Sequence, residues 1–185
     1  HFMRIFDCFM FYDEEVVLDI RLNSLKNFVD CFVIVESKFY HNGKKRDLKF
    51  NIDNFSKFKD KIIYIVQDEE PLNLETLKKN DDEGTKSYKL IFNAHKRENF
   101  QRNQISKGID RANEDDLIMI SDVDEIPNLK DLNVAKVNNK IVIFEQNIFY
   151  YKLNRYLEGF TWHGTKACKK KNLKSPQWIR NIKNK

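Results

Sequence analysis

Short apolar runs alternate along the chain with stretches of helical periodicity. Residues 13–29 carry apolar side chains at a spacing close to 3.6, which predicts a helix. A shorter helix is predicted at 54–60, and a long one at about 88–112 with a possible break near Asn99. The apolar runs predict strands at 4–9, 31–35, 61–66, 117–121 and 141–144. This alternation of strands and helices predicts an α/β fold with a mostly parallel, doubly wound sheet.

Length and composition narrow the class of protein. The chain has 185 residues, of which 41% are apolar, so it can bury one α/β core. Its three cysteines show no CxxC spacing, which argues against zinc and favours a reducing compartment. No basic-then-apolar leader follows Met3, and no apolar run is long enough for a membrane span. We therefore expect a cytoplasmic protein, and with a net charge of only +5 we expect no nucleic-acid partner.

The C-terminal stretch has a composition of its own. From Gly159 to Lys185 there are many lysines and no acidic residue. We expect a domain at 3–165 followed by a basic, loosely packed tail at 166–185. Three other interpretations stay open: peripheral contact with an anionic membrane, binding of a phosphate-bearing ligand, or the edge of a truncated domain.

The sequence DVDEIP (122–127) directly follows the apolar run at 117–121. Ligands of open α/β sheets bind beyond the carboxyl ends of the strands. Asp122 and Asp124 are therefore placed as hard oxygen ligands for a divalent cation, Mn²⁺ or Mg²⁺. An EF-hand loop is excluded, because its fifth and sixth positions are Ile126 and Pro127 here. A plain acidic turn, or the DxD of a metal-dependent phosphatase, is the alternative.

Further charged residues are expected at the same edge of the sheet. Glu36 ends the second predicted strand, where its carboxylate could accept from a nucleobase or a ribose. Arg97 and Arg102 lie on the helix before the DxD strand and could contact a diphosphate through their forked donors. The plain alternatives are an exposed strand-end carboxylate and surface arginines. Because there is no Gly-rich phosphate loop, a cation and basic side chains would have to hold the phosphates.

Several segments, taken together and in order, resemble glycosyltransferase family 17, which includes the β-1,4-mannosyl-glycoprotein β-1,4-N-acetylglucosaminyltransferases. The segments are FDCFMFYDE (6–14), EVVLDIRLNSL (15–25), DCFVIVES (30–37), FKDKII (58–63), RENFQRN (97–103), LIMISDVDEIP (117–127), NIFYY (147–151) with LN (153–154), and WHGT (162–165). The resemblance implies a GT-A fold, a UDP-sugar donor with GlcNAc favoured, a glycan acceptor, and manganese or magnesium. It also implies that Asp124 contacts the cation directly, while Asp122 reaches the ribose or a cation-bound water.

The resulting expectation is a metal-dependent, inverting glycosyltransferase that acts by single displacement. Such an enzyme needs a carboxylate base for the acceptor hydroxyl, and Glu145 is the candidate. Two alternatives remain: a non-catalytic nucleotide-sugar or glycan-binding module, and a phosphatase or nucleotidyltransferase that uses the same DxD. The resemblance implies that C-terminal segments supply the acceptor site and often a metal ligand. We expect these segments to be missing here and the basic tail to be loosely packed, so that donor binding is ordinary and transfer is slow.

Overall fold

The computed structural model of the chain describes residues 2–138, 140–149 and 156–183. Its strands are β1 (Ile5–Phe11), β2 (Cys31–Ser37), β3 (Ile62–Gln67), β4 (Leu117–Ser121), β5 (Val142–Ile143), β6 (Gln146–Phe149), β7 (Tyr156–Trp162) and β8 (Lys166–Lys169). Its α-helices are α1 (Glu15–Leu25), α2 (Glu83–Asn103), α3 (Ile105–Gly108) and α4 (Pro176–Arg180). Short 3₁₀ helices lie at Ile52–Phe58, Val134–Lys136 and Lys170–Asn172.

A six-stranded sheet with the order β3-β2-β1-β4-β8-β5 forms the centre of the fold. Strands β1 to β4 pair in parallel, whereas β8 runs antiparallel to both β4 and β5. Strands β6 and β7 form a separate two-stranded antiparallel sheet. The predicted α/β class with a mostly parallel sheet is confirmed.

Helices cover both faces of the sheet, which is why its strands read as nearly continuous apolar runs. On one face, α1 packs through Leu18, Leu22 and Leu25 against side chains such as Phe9 of β1. On the other face, α3 and α4 contribute Ile105 and Ile179 to a second cluster. Gly108 of α3 allows this approach, since a Cβ there would lie 2.3 Å from Cγ1 of Val33.

The long predicted helix differs from the observed one at both ends. Helix α2 begins earlier, at Glu83, because the side chain of Asp82 accepts a hydrogen bond from Thr85 N–H and caps the first turn. The interruption falls at Gln104, between α2 and α3, and not near Asn99. Within the described residues, no helix combines the length and the apolar character needed to cross a membrane.

The stretch from Lys166 onward packs into the fold, unlike the loosely packed end that its composition suggested. Its first four residues form β8, in the sheet between β4 and β5. The amine of Lys166 donates to the carbonyl of Arg180, 2.5 Å away, and to that of Ile182. Helix α4 follows, capped by Ser175, whose side chain accepts from Trp178 N–H. Lysines with paired amines and apolar stems therefore line a buried strand here.

A buried ion pair lies between α1 and the sheet. Arg21 and Asp7 both have fully buried side chains, and their closest atoms, Nη2 and Oδ1, are 2.6 Å apart. A second hydrogen bond joins Arg21 Nε to Asp7 Oδ2 at 2.8 Å, so the contact is bidentate. The guanidinium also lies 4.7 Å from the centre of the Phe9 ring. Each charge is therefore compensated only as long as the other is present.

The loop after β2 is tied to Tyr12, directly after β1, and to α2 by a partly buried polar cluster. His41 Nε2 lies 3.1 Å from Gln101 Oε1 and also contacts the hydroxyl of Tyr12. That hydroxyl donates to Gln101 Oε1 over 2.8 Å. Burial lowers the pKa of His41, although its hydrogen bond to Gln101 opposes the shift. The folded protein therefore favours the neutral imidazole.

The first prediction concerns the Asp7–Arg21 pair. Asp7→Asn leaves the arginine charge buried without its counterion, so we expect it to lower the free energy of unfolding by about 3–5 kcal/mol. Urea denaturation followed by circular dichroism measures this change. Asp60→Asn, at an exposed position, is the matched control and should have almost no effect. A loss of less than about 1 kcal/mol in Asp7→Asn would contradict the assigned role of the pair.

The second prediction concerns the pH dependence of stability. Because the folded-state pKa of His41 is lowered, the unfolded chain binds the proton more readily as pH falls below about 6.5. The parent therefore loses stability from this group on acidification. The Tm of the parent minus the Tm of His41→Gln should therefore decrease from pH 7.5 to pH 5. His95→Gln is the control, since that side chain is 71% exposed. A difference that stays constant or increases would contradict the burial argument.

Candidate active site

The DxD sequence forms a tight turn at the end of β4. Strand β4 ends at Ser121, and Asp122 and Asp124 follow it directly. The N–H of Asp122 donates to Glu125 Oε2 over 2.8 Å, and the N–H of Glu125 donates to the Asp122 carbonyl over 3.0 Å. These reciprocal bonds fix the turn, so the two aspartates leave it in defined directions.

Arg21 holds this turn from the core side. Its Nη1 donates to the carbonyls of Asp122 (3.1 Å), Val123 (3.2 Å) and Glu125 (2.7 Å). Glu125 N–H also donates to the Asp122 carbonyl, and the Thr165 hydroxyl to the Glu125 carbonyl, so the buried guanidinium completes the hydrogen bonding of the turn. The Asp7–Arg21 pair is therefore also the support beneath the DxD turn.

Glu125 is an anchor for the surrounding elements. Its carboxylate is 7% exposed and accepts hydrogen bonds from Trp162 Nε1 (2.7 Å) and Arg180 Nη1 (2.7 Å). Gly164 packs against it so closely that a Cβ at that position would lie 2.4 Å from the Glu125 carboxyl carbon. Glu125 thus joins the turn to the end of β7 and to α4.

Two arginines converge on the carboxylate of Asp122. Arg102 of α2 approaches Oδ1 at 3.1 Å, and Arg180 of α4 approaches Oδ2 at 3.0 Å. Arg102 is also held by Glu98 Oε1 at 3.0 Å and by Gln177 Oε1 at 2.5 Å. Both guanidiniums are largely buried, whereas the Asp122 side chain is 41% exposed. The two arginines, each also paired with a second carboxylate, form a wall beside the accessible carboxylate of Asp122.

Asp124 has a different environment from Asp122. Asp124 is exposed, and among the described residues no cationic side chain forms an ion pair with its carboxylate. Partial desolvation raises the pKa of its carboxyl, and the negative charges of Glu125, Asp122 and Glu14 raise it further. Asp124 is thus an uncompensated carboxylate in a negative local field, which is the setting that favours a bound cation.

The donor set is compatible with a cation that is shared with a ligand. Within the described residues, no cluster of three or more His, Cys, Asp or Glu side chains is arranged to hold a metal ion. Beside Glu125, whose carboxylate is engaged by Trp162 and Arg180, the turn offers Asp122 and Asp124, which are oxygen donors of the kind that Mg²⁺ and Mn²⁺ prefer. Magnesium sites are commonly completed by substrate phosphates and water. The residues therefore fit a cation bound together with a diphosphate, and not one held by the protein alone.

Glu36 and Arg97, the other predicted nucleotide contacts, lie in separate networks. Glu36 is fully buried and forms an ion pair with Arg46; its oxygens accept from the hydroxyl of Tyr64 and from the N–H groups of residues 49 and 50. Arg97 pairs with Glu70 at 2.7 Å. Neither side chain forms a hydrogen bond or ion pair with the DxD aspartates within the described residues. Their contact with a nucleotide stays a prediction. In the structure, Glu36 holds the loop after β2 through the N–H groups of residues 49 and 50.

Glu145 lies between β5 and β6 and is accessible. Its side chain is 73% exposed, and its Oε1 is 3.6 Å from Nε2 of His163. The neighbouring Phe144 N–H donates to the carbonyl of Thr165, whose hydroxyl reaches the carbonyl of Glu125 over 3.1 Å. The backbone beside Glu145 is thus connected to the DxD turn through Thr165, which directly precedes β8.

Two residues that organise this site, Arg21 and Arg180, were not expected from the sequence. Arg21 lies on the apolar face of α1, three residues after Leu18 and four before Leu25, and this position was its only signal. Arg180 lies in the basic stretch, where nothing distinguishes it from the neighbouring lysines. Its only signal is the pair Ser175 and Pro176, a typical N-cap followed by proline, which predicts the start of a helix within the expected tail.

Comparison with known proteins now gives the family. No curated protein and no solved structure gives a match to the chain. The model of glycosyltransferase family 17 matches residues 1–175, which is almost the entire chain and includes the DxD turn. This agrees with the resemblance carried by the sequence segments. The chain belongs to glycosyltransferase family 17.

Proposed function

We propose that this glycosyltransferase transfers a sugar, with GlcNAc favoured, from a UDP-sugar to a glycan acceptor at the DxD turn, with inversion and with the help of Mn²⁺ or Mg²⁺. The observation that carries the proposal is the convergence of Arg102 and Arg180 on Asp122 at the end of β4, in the same turn as the exposed carboxylate of Asp124. A GT-A arrangement, with the donor beyond the carboxyl ends of the parallel strands, is part of the same proposal.

The charges around the turn are suited to a diphosphate. Asp122 and Asp124 would hold the cation, which supplies charge neutralisation for the departing diphosphate. Arg102 and Arg180 have forked donors that match phosphate oxygens, and both are anchored by second carboxylates, Glu98 and Glu125. These arginines stabilise negative charge without moving far, which is the condition for efficient electrostatic stabilisation.

The acceptor side is assigned to the residues around β5 to β7. Glu145 is proposed to take the proton of the acceptor hydroxyl, since an exposed carboxylate can approach an incoming sugar. In the two-stranded sheet of β6 and β7, called the hairpin below, the side chains of Phe149 and Trp162 are 48% and 51% exposed and can stack on a sugar ring. Because Trp162 donates to Glu125, the hairpin is tied directly to the DxD turn.

The third prediction tests the carboxylates of the turn. Calorimetric titration with UDP should show affinity strengthened at least about tenfold by manganese, within the usual range of coupled ligands. Asp124→Asn should abolish this strengthening while the protein remains folded, because the residue is exposed. Its Tm without manganese should not fall, since the substitution removes a charge that the folded state disfavours.

Asp110→Asn, at an exposed position outside the site, is the matched control and should retain the manganese effect. Equal UDP affinity of the parent protein in manganese and in chelator would contradict the proposed cation site.

The fourth prediction tests the catalytic base. Glu145→Gln should lower acceptor-dependent UDP release by about 100-fold or more, the usual contribution of a general base, with UDP affinity unchanged. The assay uses UDP-GlcNAc with a panel of simple glycosides. Glu158→Gln, which alters an exposed carboxylate on the neighbouring hairpin, should retain activity. Full activity of Glu145→Gln would place the base elsewhere, and UDP binding without transfer to any acceptor would favour a binding module.

A further inference from the structure

The carboxylate of Asp122 has two kinds of competing partner. Each of its oxygens faces a guanidinium group, Oδ1 that of Arg102 at 3.1 Å and Oδ2 that of Arg180 at 3.0 Å. A divalent cation that approached the same oxygens would meet two positive charges at ion-pair distance. Because the arginines are largely buried, solvent screens this repulsion only weakly.

We infer that Arg102 and Arg180 act as an exclusion device, which keeps a cation away from Asp122 until a diphosphate draws the two guanidiniums off the carboxylate. The inference rests on the proposed function and deepens it, since it concerns how the donor and the cation enter that site. It makes the two arginines positioning residues for the cation as well as contacts of the diphosphate.

The alternative partners of the arginines make this exchange feasible. Glu98 holds Arg102, and Glu125 holds Arg180 through Nη1 and Nη2 at 2.7 and 3.1 Å. When the contact with Asp122 is released, each guanidinium therefore stays beside the site. A diphosphate offers it oxygens in a bidentate geometry, so the lost ion pair is replaced. Asp122 then becomes available to the cation.

The location of Arg180 adds a structural consequence. It lies on α4, which contacts α2 through Gln177, whose N–H donates to Asn103 Oδ1 over 3.0 Å and whose side chain meets Arg102. The two arginines thus come from packed helices and share a neighbour. We expect them to respond together, so that cation and diphosphate bind as a unit and the protein alone has little affinity for the cation.

The test compares manganese affinity with and without UDP in matched variants. Calorimetry with manganese chloride alone should show weak binding to the parent, tightened about tenfold or more by UDP. In Arg180→Gln, manganese alone should bind at least about fivefold more tightly than in the parent, and the tightening by UDP should shrink. Arg111→Gln removes the same charge at an exposed position and should match the parent.

A second variant guards against misfolding of the first. Arg102→Gln leaves the Arg180–Glu125 pair intact and should also bind manganese alone more tightly; circular dichroism verifies the fold of both variants. Manganese affinity that is unchanged or weakened in the folded variants, with normal UDP binding by the parent, overturns this inference and leaves the proposed function standing. A parent that binds no UDP in the presence of manganese overturns both.

Discussion

The buried guanidinium of Arg21 is the interaction on which the candidate site depends. It neutralises Asp7 inside the core and, with its remaining nitrogen, holds three carbonyls of the DxD turn. A charge in an apolar core is costly unless every donor is paired, and here the pairs are supplied by a strand and by the turn that follows another strand. The stability of the core and the shape of the turn are therefore linked.

The same logic continues outward from the core to the surface. Next to Arg21 in the turn, the buried carboxylate of Glu125 accepts a hydrogen bond from Trp162 and forms an ion pair with Arg180. Asp122 forms ion pairs with Arg102 and Arg180. Charge compensation decreases along this path, from the fully buried Asp7 to the exposed Asp124, whose pKa is raised by partial desolvation and by neighbouring carboxylates. A cation bound to a diphosphate would complement these charges, because the cation can pair with the aspartates and the phosphates with the two arginines.

Much of the central sheet could be predicted from the sequence, because strands buried on both faces leave long apolar runs. The runs before Glu36 and Asp122 therefore identified β2 and β4. Strand β8 could not be identified in this way, since it has four residues and begins and ends with lysine. Its burial depends on the amine of Lys166 reaching carbonyls of residues 180 and 182, which are distant in sequence.

The site was predictable to a similar degree. Asp122 and Asp124 stand out because two carboxylates directly follow an apolar strand, and Arg102 lies on the preceding helix. Arg180 and Arg21 could not be identified, because their roles arise from contacts 58 and 101 residues away in the chain. The packing of β8 and α4 contradicts the loosely packed C-terminal part, which was one of the reasons for expecting slow transfer. Slow transfer itself stays a prediction.

We propose that the DxD turn and its two arginines together hold a cation and a diphosphate, and a crystal structure of the protein with UDP and manganese would show whether they do. We expect a manganese ion between Asp124 and the diphosphate, with Arg180 turned from Asp122 to a phosphate oxygen. A nucleotide bound away from the carboxyl end of β4, or a cation bound with both arginines still paired to Asp122, would contradict it.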